Sequence, residues 1–118
     1  MDQPIYTMVR TADWRRAEAA GAYKGSADDR RDGFLHFSTA GQLRASAAKH
    51  RAGERELLLV SVDSASLGEA LRWEPVAGGS RPGLFPHLYG PLPLAAVRAV
   101  TPLPLLPDGR HRFPAEIP

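Results

Sequence analysis

Between Asp32 and Thr39 the chain reads Asp-Gly-Phe-Leu-His-Phe-Ser-Thr, and this stretch narrows the folds open to it. Side chains alternate across an extended strand, so Phe34, His36 and Ser38 share one face while Leu35 and Phe37 take the other. The Leu/Phe face can join a core, which leaves an imidazole and a hydroxyl to line a cleft. Leu84-Phe85-Pro86-His87-Leu88-Tyr89 repeats the layout, with Phe85, His87 and Tyr89 opposite Leu84 and Leu88. Two strands of the form Phe-x-His-x-hydroxyl in one short chain imply a shared polar pocket.

The rest of the composition limits what such a pocket can do. A chain of 118 residues, 43% hydrophobic and 24% charged, fits one domain with a modest core and argues against wholesale disorder. The net charge is only +2 and no block of like charge appears, so nothing in the charge pattern indicates nucleic acid. Arginine matches phosphate and carboxylate groups with two parallel hydrogen bonds, so a phosphate-bearing small ligand stays open. There is no cysteine, which removes disulfides, thiolate zinc sites and cysteine nucleophiles together. Met1-Asp2-Gln3-Pro4 is not a basic-then-apolar leader and no apolar run approaches a membrane span. The expectation is a soluble cytoplasmic protein with no membrane partner; the oligomeric state is not legible.

In chain order, Ile5, Thr7 and Val9 alternate with Tyr6, Met8 and Arg10 as an opening strand. Thr11 stands where a helix N-cap belongs, Trp14 and Ala17 mark the buried face, and Gly21 follows as a C-cap. Ser26 and Asp29 are spaced as a capping box for one short turn of helix, and Thr39 and Gln42 as another. The helix that Thr39 opens should reach about Arg51, with Leu43, Ala47 and His50 along one face. Leu57-Leu58-Leu59-Val60-Ser61-Val62 reads as a central buried strand. In Leu71-Arg72-Trp73-Glu74, Leu71 and Trp73 should point inward. Pro86 marks its strand as an edge or bulged strand, since proline lacks the ladder N–H. Ala77 to Gly83 reads as a glycine-rich loop that could close over a ligand. A further strand is expected around Arg98 to Leu103, then an irregular proline-rich tail. The domain is placed at residues 1–104 and the tail at 105–118.

His36 and His87 are the first candidates for chemistry, beside the plainer reading of structural, hydrogen-bonded histidines. Ser38 and Tyr89 are the hydroxyls placed to share their network. Glu74, at a strand end before the loop, either pairs with Arg72 on a solvated face or joins the pocket to orient a nucleophile or stabilise positive charge. No His-Glu-x-x-His or His-x-His motif is present, so no metal is expected, although His36, His87 and Glu74 could gather from distant strands in a metal-assisted hydrolase. Ser38 lacks the strained glycine elbow of a nucleophilic serine.

Ile5-Tyr6, Trp14 with Ala17 and Gly21, Asp32 to Thr39, Arg72-Trp73-Glu74 and Leu84 to Gly90 together resemble the signature of the DUF952 family, small bacterial and plant proteins of unassigned function. The family is similar in fold to the ADP-ribosyltransferases: α+β, with two small, mostly antiparallel sheets forming a cleft and a few short helices. Within that superfamily the layout is similar to the RNA 2'-phosphotransferases, with a His-x-Ser strand, a helix, an apolar strand ending in aspartate and a final strand pair. The resemblance implies a cleft for NAD+ or an ADP-ribosylated nucleotide and ADP-ribosyl or glycosyl transfer, with His36, Glu74 and His87 as the catalytic candidates. Tyr6, His36, Ser38, Thr39 and Tyr89 would contact the nucleotide. A module that binds a ligand or partner without turnover is the alternative on the same fold.

Overall fold

A computed structural model of the chain describes residues 3–76 and 82–117. In chain order the elements are β1 (Pro4–Arg10), α1 (Thr11–Ala20), β2 (Ala22–Tyr23), α2 (Ala27–Asp32), β3 (Leu35–His36), α3 (Ala40–His50) and β4 (Leu57–Asp63). A 3-10 segment, Ser64–Ala70, then leads to β5 (Leu71–Glu74), β6 (Phe85–Leu88), β7 (Leu92–Pro93), a 3-10 turn at Leu94–Ala96 and β8 (Val97–Leu103). The architecture is α+β. One sheet has the order β1-β4-β8, a second β3-β6-β5, and β2 and β7 make a two-stranded ribbon. All of these pairings are antiparallel.

β4 sits between β1 and β8 with both faces covered, which is why its sequence is apolar without alternation. Leu58, Val60 and Val62 point into one core with Ile5, Val9, Trp14, Leu35, Phe37 and Leu88. Leu57 and Leu59 point into a second, with Tyr6, Met8, Leu43, Ala47, Leu103 and Ile117. α1 therefore closes one side of the first sheet, while α3 and the C-terminal residues close the other. The two larger sheets are stitched at one point, where Tyr6 and Ser38 exchange backbone hydrogen bonds of 2.8 Å in both directions. Among the described residues beyond Leu103 there is no strand or helix apart from a single bridge between Leu105 and His111, yet the segment is fixed in place. Ile117 is buried, and its carbonyl accepts a 3.0 Å hydrogen bond from Arg44 on α3.

Four local expectations are corrected. Thr11 is the first residue inside α1, not its cap, because its hydroxyl donates to the Glu56 carbonyl at 3.0 Å and Arg10 takes the N-cap position. His50 falls back over the Leu43 face by helical period, but it lies in the last turn of α3, where the buried face gives way to a cleft. It is exposed there, and Ser46 completes the buried face instead. Trp73 is 37% exposed because β5 is an edge strand that turns Arg72 and Glu74, not Trp73, toward the aromatic groups of β6. Pro86 belongs to a central strand. A strand residue points its N–H and C=O to the same side, and the Pro86 carbonyl accepts from Phe37 N–H at 3.0 Å. The missing proline N–H therefore faces the β3 side, where the regular ladder has ended at His36. Residues 77–81 of the glycine-rich loop lie outside the described residues.

Candidate functional site

β3 and β6 pair with Leu35 opposite Leu88 and His36 opposite His87. The two histidines are directly across from one another, and the His36 N–H does not enter the ladder; it donates to Asp29 Oδ1 at 3.1 Å. Such a pair without mutual backbone bonds brings its side chains closest, and the ring centroids lie 5.7 Å apart. Phe34, on the same face, stacks on His87 with centroids 4.0 Å apart and contacts His36 at 4.6 Å.

Asp29 holds His36 in place. Ser26 and Asp29 form the capping box of α2: the Ser26 Oγ accepts from Asp29 N–H at 3.2 Å, and Asp29 Oδ2 accepts from Ser26 N–H at 2.8 Å. The other carboxylate oxygen takes both the His36 backbone N–H and the ring, with Nδ1 2.5 Å away. Asp32, at the end of the same short helix, places Oδ2 3.0 Å from His36 Nε2. Carboxylates only accept, so both ring nitrogens must carry protons and His36 is an imidazolium in this arrangement. Burial works against that charge. The Asp29 hydrogen bond and the charges of Asp29 and Asp32 outweigh it and hold the His36 pKa above its ordinary 6.5. Burial would likewise raise Asp29, but hydrogen bonds from the His36 ring, Ser26 and the His36 backbone bring it below its ordinary 3.8.

His87 is held differently. It is 5% exposed, and its Nδ1 lies 2.8 Å from Glu74 Oε1, the oxygen that also accepts the Tyr89 hydroxyl at 2.7 Å. The Tyr89 hydroxyl first, and His87 second, hold Glu74 below its ordinary 4.5. An ionised Glu74 accepts a hydrogen bond from His87 Nδ1 and so fixes the orientation of the ring. Arg72 lies over the Tyr89 ring at 5.1 Å and completes this group. One histidine is thus held between two carboxylates and the other by one, so the two rings sit in different electrostatic surroundings.

Both rings line a cleft of about 860 Å³, within the range of small-molecule sites. Tyr6 and Met8 of β1, Ser38, and Ser46, Lys49 and His50 of α3 also line it. Of the residues singled out from sequence, His36, His87, Tyr6 and Ser38 meet in this cleft. The Ser38 hydroxyl donates to Ser46 Oγ at 2.9 Å. Glu74 and Tyr89 do not line it and reach it through His87 and Phe34. Thr39 forms the α3 capping box with Gln42, whose Oε1 accepts Thr39 N–H at 3.0 Å, and is not part of the cleft wall. Among the described residues, no three His, Asp or Glu side chains gather as a metal site. Sequence reasoning missed Asp29, Asp32 and the ring contacts of Phe34. The available signal was the Ser26–Asp29 box immediately before the histidine strand, with Asp32 four residues from His36.

The fold and site together define an α+β domain whose two sheets flank a cleft walled by a facing, carboxylate-anchored histidine pair. The profile of a family described as a protein of unknown function, DUF952, matches residues 8–100, and the chain belongs to that family. It is similar to a crystal structure of protein CC0527 from Caulobacter crescentus, with 40% identity over 93% of this chain and 94% of that one and a TM-score of 0.86. The solution NMR structure of the same protein is also similar, with 41% identity over 91% and 90% of the two chains and a TM-score of 0.80. A comparison with curated proteins gives no match. No helix among the described residues is long and apolar enough to cross a membrane.

Proposed function

We propose that the cleft binds NAD+ or a related ADP-ribose-bearing nucleotide and that the histidine pair acts on its ribose in ADP-ribosyl or glycosyl transfer. The observation that carries this reading is the facing pair itself, with His36 clamped between Asp29 and Asp32 and His87 oriented by Glu74. Departure of nicotinamide leaves positive charge on the ribose, which the carboxylates around His36 would stabilise. Asp32 is the outer and more exposed of the two carboxylates, so its withdrawal frees the His36 Nε2–H for a ribose hydroxyl. His87 Nε2 takes the proton of an acceptor hydroxyl as the acceptor oxygen bonds to the ribose anomeric carbon, and nicotinamide leaves with the electron pair of the broken bond. Tyr6 and Ser38 supply contacts in the cleft wall. Glu74 acts through His87 as a positioning residue, and Tyr89 through Glu74.

Calorimetric titration and a nicotinamide-release assay test this directly. NAD+ or ADP-ribose should bind wild type, His36→Ala should weaken binding, and His87→Ala should abolish release while binding persists. Wild-type protein that neither binds nor consumes NAD+ at millimolar concentration sinks the reading. A second reading is favoured by one feature: both ring nitrogens of His36 are already committed to carboxylates. On that reading the domain binds the nucleotide without turning it over, and the same titration shows saturable binding with no nicotinamide released.

A further inference from the structure

A second cavity of about 470 Å³ opens between α1, β2 and α2, and it adjoins the cleft: Arg10, Ser26, Asp28 and Arg51 line both. The two differ in charge. The cleft wall carries four Lys or Arg residues (Arg10, Arg31, Lys49, Arg51) against four carboxylates (Asp28, Asp29, Asp32, Glu54). The second cavity carries five, Arg10, Arg16, Lys24, Arg30 and Arg51, against only Asp13 and Asp28. Asp13 is paired with Arg16 and Asp28 with Arg31, while Arg10 and Arg51 both bind Glu54, so Lys24 and Arg30 are the cations of this cavity with no ion pair among the described residues. The Lys24 ammonium has no hydrogen bond or ion pair among the described residues. Arg30 uses one nitrogen on the Gly25 carbonyl at 3.2 Å and keeps the rest of its fork for another acceptor. Arg51 marks the junction; it is anchored on Glu54 and the Met8 carbonyl, with its side chain only 22% exposed.

A groove that is balanced at one end and cationic at the other fits a ligand with an uncharged sugar and an anionic end. We infer that the cavity between α1 and α2 is a diphosphate-binding arm of the cleft, with Lys24 and Arg30 as its cations and Arg51 at the junction. Within the nucleotide reading proposed above, on which this placement rests, the arm seats the diphosphate of the ligand whose ribose meets His36 and His87. The recognition chemistry is that of charge-assisted hydrogen bonds to phosphate oxygens, which are short and about twice as strong as neutral ones. Lys24 and Arg30 are exposed, so substituting them should leave the core intact.

Inorganic pyrophosphate is the probe, because its binding does not depend on ribose chemistry. Calorimetry should show pyrophosphate binding to wild type, weakened roughly tenfold or more in Lys24→Gln/Arg30→Gln and unchanged in Arg98→Gln, which removes an exposed cation outside both cavities. Affinity should fall as salt is raised. No binding at millimolar concentration, or equal binding by the double variant with unaltered thermal unfolding, overturns the inference. ADP-ribose binding more tightly than pyrophosphate and weakened both by Lys24→Gln/Arg30→Gln and by His36→Ala supports the arm as part of a nucleotide site. Pyrophosphate binding with no response to NAD+ or ADP-ribose supports the arm for a free diphosphate and removes the nucleotide reading alone.

Discussion

Replacing Asp29 with asparagine tests the centre of the site, because no orientation of an amide can satisfy the donors around it. Asp29 Oδ2 accepts Ser26 N–H, while Oδ1 accepts the His36 N–H and faces His36 Nδ1. If the asparagine oxygen serves His36, its NH2 group confronts the Ser26 N–H; if it is turned round, the NH2 group confronts two His36 donors. Either way a part-buried donor packed against Asp29, itself only 6% exposed, loses its acceptor. An unsatisfied buried donor costs about 1–3 kcal/mol, so the substitution should destabilise by about that much near pH 6, with the lost charge pairing of the half-exposed His36 adding little after solvent screening. The sign with pH follows from the shifts. His36 is raised above 6.5 when folded, so its pairing stabilises fully below 6.5 and is lost as pH rises through the folded value. Asp29 is lowered below 3.8, so its share is present above 3.8 and lost as pH falls through the folded value. Urea denaturation of wild type and Asp29→Asn from pH 5 to 9 should show their largest gap at the acid end and a smaller one near pH 9. A gap that grows with pH, or a variant within about 0.5 kcal/mol of wild type at pH 6, would refute the reasoning.

Other substitutions follow from the same geometry. Gly25 has φ +102°, and a Cβ there would stand 2.5 Å from Leu35 Cδ2 and 2.7 Å from Asp29 Cβ, so Gly25→Ala should cost about 1–3 kcal/mol in urea denaturation; wild-type stability would contradict it. Tyr89→Phe removes the hydroxyl that most strongly lowers Glu74, so the Glu74 carboxyl should titrate closer to 4.5 by NMR, and an unmoved titration would show that the Tyr89 bond is not formed in solution. Ile117→Ala should destabilise by about 2 kcal/mol if the last residues seal the second core, and show no change in thermal or urea unfolding if they do not.

The parts of this molecule legible in the sequence are those fixed by local rules. Periodicity places α1 on Trp14 and Ala17, ending at Gly21 in the left-handed conformation, and capping chemistry places α2 after Ser26 and α3 after Thr39. Alternation correctly separates Leu35 and Phe37, both buried, from Phe34 and His36. The regular strand there has only two residues, because at the next pair Pro86 has no N–H to give the Phe37 carbonyl, although the Phe37 N–H still reaches the Pro86 carbonyl. What stays illegible depends on pairing between distant segments. Nothing local tells Pro86 that Phe37 will meet its carbonyl, so a proline read as an edge marker stands in a central strand. The ribbon of Ala22–Tyr23 with Leu92–Pro93 is too short to carry a pattern at all. Glu74 was visible as a carboxylate near the site. Its place behind His87, outside the cleft wall, follows only from the β5–β6 register.

The difference between the two histidines also has a topological cause. Because His36 and His87 share no backbone bonds, each strand is free to spend its N–H and C=O elsewhere. On the β3 side the His36 N–H goes to Asp29, so one carboxylate caps α2, ties that helix to the strand and clamps the ring from the same atoms. On the β6 side His87 is bonded into the ladder with β5 opposite Arg72, which brings Glu74, two residues along, diagonally within reach of Nδ1. A helix cap supplies one anchor and a sheet diagonal the other. The first delivers two carboxylates and a protonated ring; the second delivers one carboxylate shared with a tyrosine. Shifting β3 by one residue against β6 would turn His36 to the opposite face and place Leu35 or Phe37 across from His87, destroying both the core contact and the pair. The register that packs Leu35 and Leu88 into the first core is therefore the one that sets the two rings face to face, so selection for a stable core preserves the site geometry as well.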